Sequence, residues 1–156
     1  MAAEFVVGVI SDTHGWLRPQ AMAALRGSQL IIHAGDVGAL EILRELERIA
    51  PVRVVRGNID LQPWAQKLPL IEVVEAGGAL LHVLHDVKQL DLSPGAAGFA
   101  AVISGHSHRP GQQVRDGVLY FNPGSAGPNR FRLPISVGKL YVAEGRVRGE
   151  IIKLPV

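Results

Sequence analysis

The stretch QLIIHAGDVGALEILRELERIAPVRVVRGN, residues 29–58, decides the fold. Its central part places Leu40, Leu43 and Leu46 in an apolar stripe at helical spacing, with charged residues opposite. Pro51 ends this segment, because proline has no amide hydrogen for a helix to use. The apolar runs on either side are short and rich in β-branched residues, as buried strands are. The pattern predicts a strand, a helix and a second, parallel strand at 29–36, 39–50 and 52–58.

The segment before this unit extends the same pattern. FVVGVI, residues 5–10, is a β-branched apolar run typical of a buried strand. Residues 16–27 carry apolar positions at helical spacing, with Pro19 suited to a first turn and Gly27 to a C-terminal stop. The front of the chain therefore predicts a βαβαβ arrangement with parallel strands and right-handed crossovers.

The rest of the chain is mostly β. Glycine-containing turns divide long apolar segments into three predicted hairpins, at 69–86, 112–122 and 134–154. A further strand is predicted at 100–106, and a short helix rich in glycine and alanine near 93–99. No repeat and no low-complexity linker interrupts the sequence, so we expect residues 1–156 to form one domain.

The composition is that of an ordinary globular protein. Hydrophobic residues make up 47% of the 156 residues, and no apolar run approaches the roughly 18 residues of a membrane span. The lack of cysteine excludes disulfides, thiolate catalysis and cysteine-ligated metal sites. The formal charge is only +2 and the basic residues are scattered, so a nucleic-acid partner is not indicated. We expect a cytoplasmic protein with no membrane partner, and association of identical chains stays open.

Polar side chains that can ligate metals follow five of the predicted strands. Parallel strands bring their carboxyl ends to one edge of a sheet, which is where ligands bind. Nitrogen and oxygen donors without sulfur suit Mn²⁺, Fe²⁺, Zn²⁺ or Ni²⁺. A set of seven is too large for one tetrahedral ion and suits two ions that share a carboxylate. The candidates are Asp12, His14, Asp36, Asn58, His85, His106 and His108.

Two pairs of these candidates are two positions apart, Asp12 with His14 and His106 with His108. On extended chain, side chains at i and i+2 point to the same side, so each pair could offer two ligands in one direction. Glycines also adjoin the candidates, where a tight turn or a close backbone approach is expected, at positions 35, 57 and 105.

The ordered set DTH…GD…GN…H…GHSH resembles the calcineurin-like metallophosphoesterases, in particular their small single-domain bacterial and archaeal phosphodiesterase branch. The resemblance covers residues 5 to about 153 and includes the late NPGS motif at 122–125. It implies an α/β (α+β) fold, a four-layer α-β-β-α sandwich of two mixed β-sheets flanked by helices. It also assigns the ligands to two sites: Asp12, His14 and His108 in one, Asn58, His85 and His106 in the other, with Asp36 bridging.

The resemblance implies hydrolysis of a small phosphoester, with a phosphodiester as the expected substrate. Two divalent ions, Mn²⁺ by expectation and Ni²⁺, Fe²⁺ or Zn²⁺ as alternatives, would lower the pKa of a bridging water from about 15.7 towards about 7. The hydroxide would attack phosphorus while the ions neutralise charge on the phosphate oxygens. Asn58 and Arg109 are candidates for binding the phosphate. Catalytic roles are expected for Asp12, Asp36, Asn58, His85 and His106.

One position departs from the family pattern, and two leave alternatives open. Ile59 stands where larger family members have a histidine that protonates the leaving group, so good leaving groups such as aryl phosphates should be favoured. Asp60 could replace that histidine or cap the following turn. Asp86 could orient a ligating imidazole or cap its own loop.

Two other functions are compatible with the same fold. A eukaryotic relative, a subunit of the retromer coat, has lost its ligand character and acts through protein contacts, which makes a non-catalytic scaffold the alternative to an enzyme. A scaffold need not keep seven ligands, so their presence favours the enzyme. A nuclease would perform the same reaction on a larger substrate, but the chain shows no basic stripe with interleaved aromatic residues.

Overall fold

The structure, a computed structural model, describes residues 3–130 and 132–156. These residues form two five-stranded β-sheets. In chain order the strands are β1 (Phe5–Ile10), β2 (Leu30–His33), β3 (Val52–Val54), β4 (Ile71–Ala76), β5 (Ala79–Leu84), β6 (Phe99–Ile103), β7 (Gly111–Arg115), β8 (Val118–Asn122), β9 (Ser136–Ala143) and β10 (Arg146–Lys153). The α-helices are α1 (Pro19–Leu25) and α2 (Leu40–Leu46), and short 3₁₀ turns span Pro63–Lys67 and Val87–Gln89.

The first sheet has the strand order β10-β9-β1-β2-β3. Strands β1, β2 and β3 are parallel, with Ile10 opposite His33 and His33 opposite Val54. Their carboxyl ends are therefore level at one edge of the sheet. The predicted βαβαβ unit is confirmed, and the hairpin of β9 and β10 pairs antiparallel with β1 on its other side.

The second sheet has the strand order β4-β5-β6-β8-β7. Strands β5, β6 and β8 are parallel, with Val83 opposite Ile103 and Ile103 opposite Phe121, so their carboxyl ends are level as well. The three predicted hairpins are confirmed, with turns at Gly77-Gly78, Asp116-Gly117 and Glu144-Gly145.

The two sheets pack face to face. Val9 of the first sheet and Val83 and Phe121 of the second belong to one buried apolar cluster between them. The outer face of the first sheet is covered by the two helices, whose Leu25 and Leu46 are buried in a second cluster. The expected fold class, an α+β fold with two mixed β-sheets, is confirmed. Of the four expected layers, the α-helices of the described residues form only the one on the first sheet. None of the helices in the described ranges is long and apolar enough to span a lipid bilayer.

The helices are shorter than predicted, and the helix expected near 93–99 is wrong. α1 begins only at Pro19, and residues 94–98 form turns before β6 begins. This segment contains Pro94, Gly95 and Gly98, the last with a φ of +88°. A proline and two glycines in so short a stretch remove the helix propensity that alanine provides.

Candidate metal centre

The level strand ends of both sheets meet at one end of the sandwich, where the seven predicted ligands come together. The first sheet supplies four of them and the second sheet three. The two groups that could hold a metal ion are Asp12, His14 and His108, and Asp36, His85 and His106, with ligand atoms in each group within 4.8 Å of one another. Asn58 adjoins the second group.

Asp12 is the centre of the first group. Nε2 of His14 and Nε2 of His108 lie 3.8 and 3.5 Å from its Oδ1. Its other oxygen, Oδ2, accepts hydrogen bonds from the Ser11 hydroxyl at 2.8 Å and from the backbone N–H of His106 at 3.1 Å. These two bonds fix the buried carboxylate so that Oδ1 faces the two imidazoles.

His85 is the most constrained residue of the second group. Its Nδ1 lies 2.7 Å from the carbonyl oxygen of Ala34, which can only accept, so Nδ1 carries the proton. Its Nε2 lies 3.2 Å from Oδ2 of Asp36 and 3.0 Å from Oδ1 of Asn58. Nδ1 of His106 lies 3.1 Å from the same amide oxygen. A ring fixed by one nitrogen is suited to ligate a cation through the other.

Asp36 lies between the two groups. Its Oδ2 is 3.5 Å from Nε2 of His14 in the first group and 3.2 Å from Nε2 of His85 in the second. Its Oδ1 accepts a 3.0 Å hydrogen bond from the backbone N–H of Ile59. Ile59 thus orients this carboxylate through its backbone, although its side chain has no acid–base chemistry.

The arrangement of the donor atoms suits the binding of divalent cations better than it suits hydrogen bonds between the side chains. Oδ1 of Asp12 and Nε2 of His14 are buried without a hydrogen-bond partner, which is costly for polar atoms. Their 3.8 Å separation is too long for a hydrogen bond, yet two ligands that each lie about 2.0–2.2 Å from a shared cation span such a distance. In a neutral His85, Nε2 would face two oxygen acceptors with its lone pair, an arrangement that a cation stabilises.

Five of the seven candidates have a left-handed backbone, with φ between +48° and +69°. The expectation that each i, i+2 pair lies on extended chain is therefore wrong, since turns direct these side chains inward. For a residue with a Cβ, the left-handed backbone conformation costs on the order of 1–3 kcal/mol of free energy. Such strained residues cluster at functional sites. The five are Asp12, His14, Asp36, His106 and His108.

Glycines let the ligand loops approach closely, as predicted. A Cβ on Gly105 would lie 2.8 Å from Oδ2 of Asp12, and one on Gly57 would lie 2.8 Å from the carboxyl carbon of Asp36. Both are closer than real Cβ contacts, so any larger residue would displace a candidate ligand.

The buried carboxylate of Asp60 organises two ligand loops, a role that sequence reasoning missed. Its Oδ2 accepts hydrogen bonds from the N–H groups of Asp36 and Gly57, both at 2.9 Å. Its Oδ1 accepts from Val37 at 2.9 Å and Gly38 at 3.2 Å. The carboxylate is directed at preceding loops, so it neither caps the following turn nor offers a proton to a leaving group.

His33 links the loop after β1 to the loop after β2. Its Nδ1 accepts from the N–H of Gly35 at 3.1 Å, and its Nε2 lies 3.0 Å from the Thr13 hydroxyl, which donates to the Val37 carbonyl at 2.8 Å. This chain of bonds requires a neutral ring protonated on Nε2. Burial lowers the pKa of His33 to about 4, which keeps the ring neutral.

The charges of the centre favour an ionised Asp36 beside His85. Burial raises the pKa of Asp36, but hydrogen bonds from His85 and from the Ile59 N–H, with the charges of His85 and His14, bring it below its ordinary value. Burial lowers the pKa of His85, but its hydrogen bond to Asp36 and the charges of Asp12 and Asp36 raise it above its ordinary value. A divalent cation would take the place of the proton between them.

The NPGS motif supports both ligand loops that follow β1 and β6. Nδ2 of Asn122 donates to the Gly105 carbonyl at 3.0 Å, and the Ser125 hydroxyl donates to the Asp12 carbonyl at 3.2 Å. The motif therefore braces the centre without contributing a candidate ligand.

The remaining predicted residues lie further out. Asp86 accepts a hydrogen bond from the N–H of Lys88 at 3.0 Å, and its Oδ2 lies 3.8 Å from Nε2 of His106. These contacts are compatible with both roles considered for it, capping its own loop and orienting an imidazole. Arg109 is exposed and lines a different cleft from the one that Asn58 lines. The substrate-binding role of Arg109 stays a prediction. Arg56 is the arginine that lines the same cleft as Asn58. Its position just after β3 is the sequence feature that could have indicated it.

Comparison with known proteins agrees with this geometry. The sequence profile of the calcineurin-like phosphoesterase superfamily domain matches residues 5–145. A probable metallophosphoesterase of Methanothermobacter thermautotrophicus is 34% identical over 160 residues, which cover 95% of this chain and 92% of that protein. A phosphodiesterase of Methanocaldococcus jannaschii is 27% identical over 137 residues, covering 76% of this chain and 82% of that protein.

Among solved structures, Vps29 of Chaetomium thermophilum superposes with a TM-score of 0.77 over 97% of this chain and 98% of its own. Its identity is 18%, so it shows the shared fold alone. The profile match and the relative from Methanothermobacter thermautotrophicus show the family as well, because they rest on sequence similarity over most of the chain. The chain belongs to the calcineurin-like phosphoesterase superfamily.

Proposed function

We propose that the protein is a metal-dependent phosphodiesterase that hydrolyses small phosphodiesters. One observation carries the proposal: two carboxylates, an amide and four imidazoles meet from separate loops, with buried donor atoms left without partners. Membership of a phosphoesterase superfamily supports hydrolysis of a phosphoester. The relative named a phosphodiesterase supports a diester as the substrate.

In this proposal the seven side chains hold two divalent ions. Mn²⁺ is the expected metal, with Ni²⁺, Fe²⁺ or Zn²⁺ as alternatives, and the ions would supply a water of lowered pKa as nucleophile and positive charge for the phosphate oxygens. One ion would be held by Asp12, His14 and His108 and the other by Asn58, His85 and His106, with Asp36 shared.

The residues of the chain prepare the centre for an anionic ester. Two carboxylates neutralise only part of the charge of two divalent ions, so the centre stays positive and attracts phosphate. Asn58 is exposed, and while its Oδ1 faces His85 and His106 its Nδ2 can donate to a phosphate oxygen. Ile59 offers no proton to the leaving group, so aryl esters should react faster than alkyl esters. A cytoplasmic location and the lack of a nucleic-acid partner stay predictions.

Removal and restoration of the metal tests the proposal. The purified protein is treated with a chelator, and turnover of bis(p-nitrophenyl) phosphate is measured before and after addition of Mn²⁺ or Ni²⁺. We expect activity to disappear and to return with the ions. Activity that survives exhaustive chelation would contradict the mechanism. No turnover of any phosphoester with any of the ions would favour a non-catalytic scaffold instead.

A further inference from the structure

A cleft of about 350 Å³ opens directly beside the second ligand group. This volume lies within the range of pockets that bind small molecules. Three candidate ligands and three apolar side chains line it: Asn58, His85, His106, Leu70, Ile71 and Leu84. The cleft thus joins the place where a phosphate would be held to an apolar wall.

The apolar wall is built on the sheet. Ile71 of β4 pairs with Leu84 of β5, which is only 3% exposed and forms the buried part of the wall. Leu70 and Ile71 are 61% and 48% exposed. Single exposed apolar side chains are common, but here two of them adjoin a buried leucine on a concave surface that ends at polar ligands. Covering them with an apolar group would be favourable.

A polar side completes the cleft. Arg56 lines it, and its guanidinium donates to Oε1 of Gln66 at 3.1 Å, while its backbone N–H donates to the Pro69 carbonyl at 2.8 Å. A guanidinium has five N–H donors and also stacks on aromatic faces. Asp86 and Gln89 line the same cleft and add a carboxylate and an amide. These groups can meet the polar edge of a ring whose face lies on the apolar wall.

We propose that this cleft binds one ester group of the substrate, and that this group is a flat aromatic ring with a polar edge. The inference rests on the proposed function, because the phosphate must lie at the metal centre for the ring to reach the cleft. The ring would pack on Ile71 and Leu84 with its edge towards Arg56. A small alkyl ester would leave the same wall in contact with water.

Calorimetric titration with two phosphate monoesters tests the inference. Phenyl phosphate and methyl phosphate carry the same phosphate group and differ in the ring. With the Mn²⁺-loaded protein, we expect phenyl phosphate to bind at least about tenfold more tightly, because the ring removes apolar surface from water. Ile71→Ala should lower the affinity for phenyl phosphate and leave the affinity for methyl phosphate unchanged.

Val73→Ala is the matched control. Val73 lies two residues further along β4 on the same face as Ile71 and is 49% exposed, but it does not line the cleft, so the preference should persist. Leu70→Ala, outside the strand, provides a second variant that should lose the preference. Equal affinities in a wild-type protein that still hydrolyses bis(p-nitrophenyl) phosphate would overturn the inference alone. A metal-loaded protein that hydrolyses no phosphoester would overturn the proposed function.

Discussion

The carboxylate of Asp60 accepts a 2.9 Å hydrogen bond from the backbone N–H of Asp36, although the two residues follow different strands. It also accepts a 2.9 Å hydrogen bond from the N–H of Gly57, next to Asn58. One buried side chain therefore holds together the loop that carries the shared carboxylate and the loop that carries the candidate amide ligand.

Asp60→Asn should loosen this connection. The amide places an NH₂ donor where an oxygen accepts from backbone N–H groups, so buried donors lose their partners. We expect the free energy of unfolding to fall by about 2–3 kcal/mol and the Mn²⁺ affinity to fall about 10–100-fold. Urea denaturation and metal titration measure the two effects. Asp116→Asn, in the exposed turn after β7, is the control and should change neither.

Asp36→Asn should abolish activity and weaken both metal sites while the fold stays intact. Oδ2 of Asp36 faces His14 and His85 together, so the loss of its charge affects both groups. We expect turnover of bis(p-nitrophenyl) phosphate to fall at least about 100-fold. Circular dichroism should match the wild type. Near wild-type turnover with Mn²⁺ would show that the shared position is wrong.

Gly105→Ala should damage the centre through contact alone. The added Cβ would collide with the Ser11 hydroxyl, which donates to Oδ2 of Asp12, and would lie 2.8 Å from that Oδ2, so the hydroxyl and the carboxylate must shift. A displacement of about 1 Å can cost on the order of 10² in rate, and we expect a loss of that size in kcat/KM. Gly111→Ala is the matched control, because a Cβ there meets nothing within 4 Å. Similar kinetics in the two variants would mean that the close approach at Gly105 has no functional role.

His33 should make the stability of the metal-free protein depend on pH. Its pKa is about 4 in the folded protein against an ordinary value of 6.5, so the unfolded chain binds more protons between these values. The stabilising effect is complete above pH 6.5 and is lost as the pH falls towards 4. Between pH 7 and 5 this group should lower the free energy of unfolding by about 2 kcal/mol.

His33→Gln removes the titrating group and should flatten the dependence by that amount. Urea denaturation of both proteins at several pH values measures the difference. Parallel curves for the wild type and the variant would show that His33 is protonated equally in the folded and unfolded states.

The parts of the fold that local patterns control were predictable from the sequence. The strand at 5–10 and the turn at Gly77-Gly78 follow from apolar runs and from residues that tolerate positive φ. The helix predicted near 93–99 is wrong because Pro94, Gly95 and Gly98 outweigh the helix propensity of the alanines between them. The ends of α1 and α2 depend on packing against the sheet, which a single sequence does not display.

The candidate ligands could be named because each follows an apolar run, and the structure brings them together; their ligand roles stay a prediction. The role of Asp60 in connecting two loops could not be predicted, because its partners are mostly backbone N–H groups of another loop. Such partners leave no pattern of side chains in the sequence. Arg56 and Ile71 could not be identified either, since the cleft they line exists only after β3, β4 and β5 assemble. The left-handed turns at the ligands were also not predicted, because aspartate and histidine favour that backbone only weakly compared with glycine.

The left-handed residues at the candidate ligands lower the stability of the folded protein. His106 is exposed and has a φ of +69°, so His106→Gly would relieve its backbone and remove little packing. The metal-free protein should tolerate heat better after this change and lose a candidate ligand with it. Selection for stability alone would therefore replace these candidate ligands one at a time, so keeping the left-handed residues is expected only if the proposed metal centre has a function.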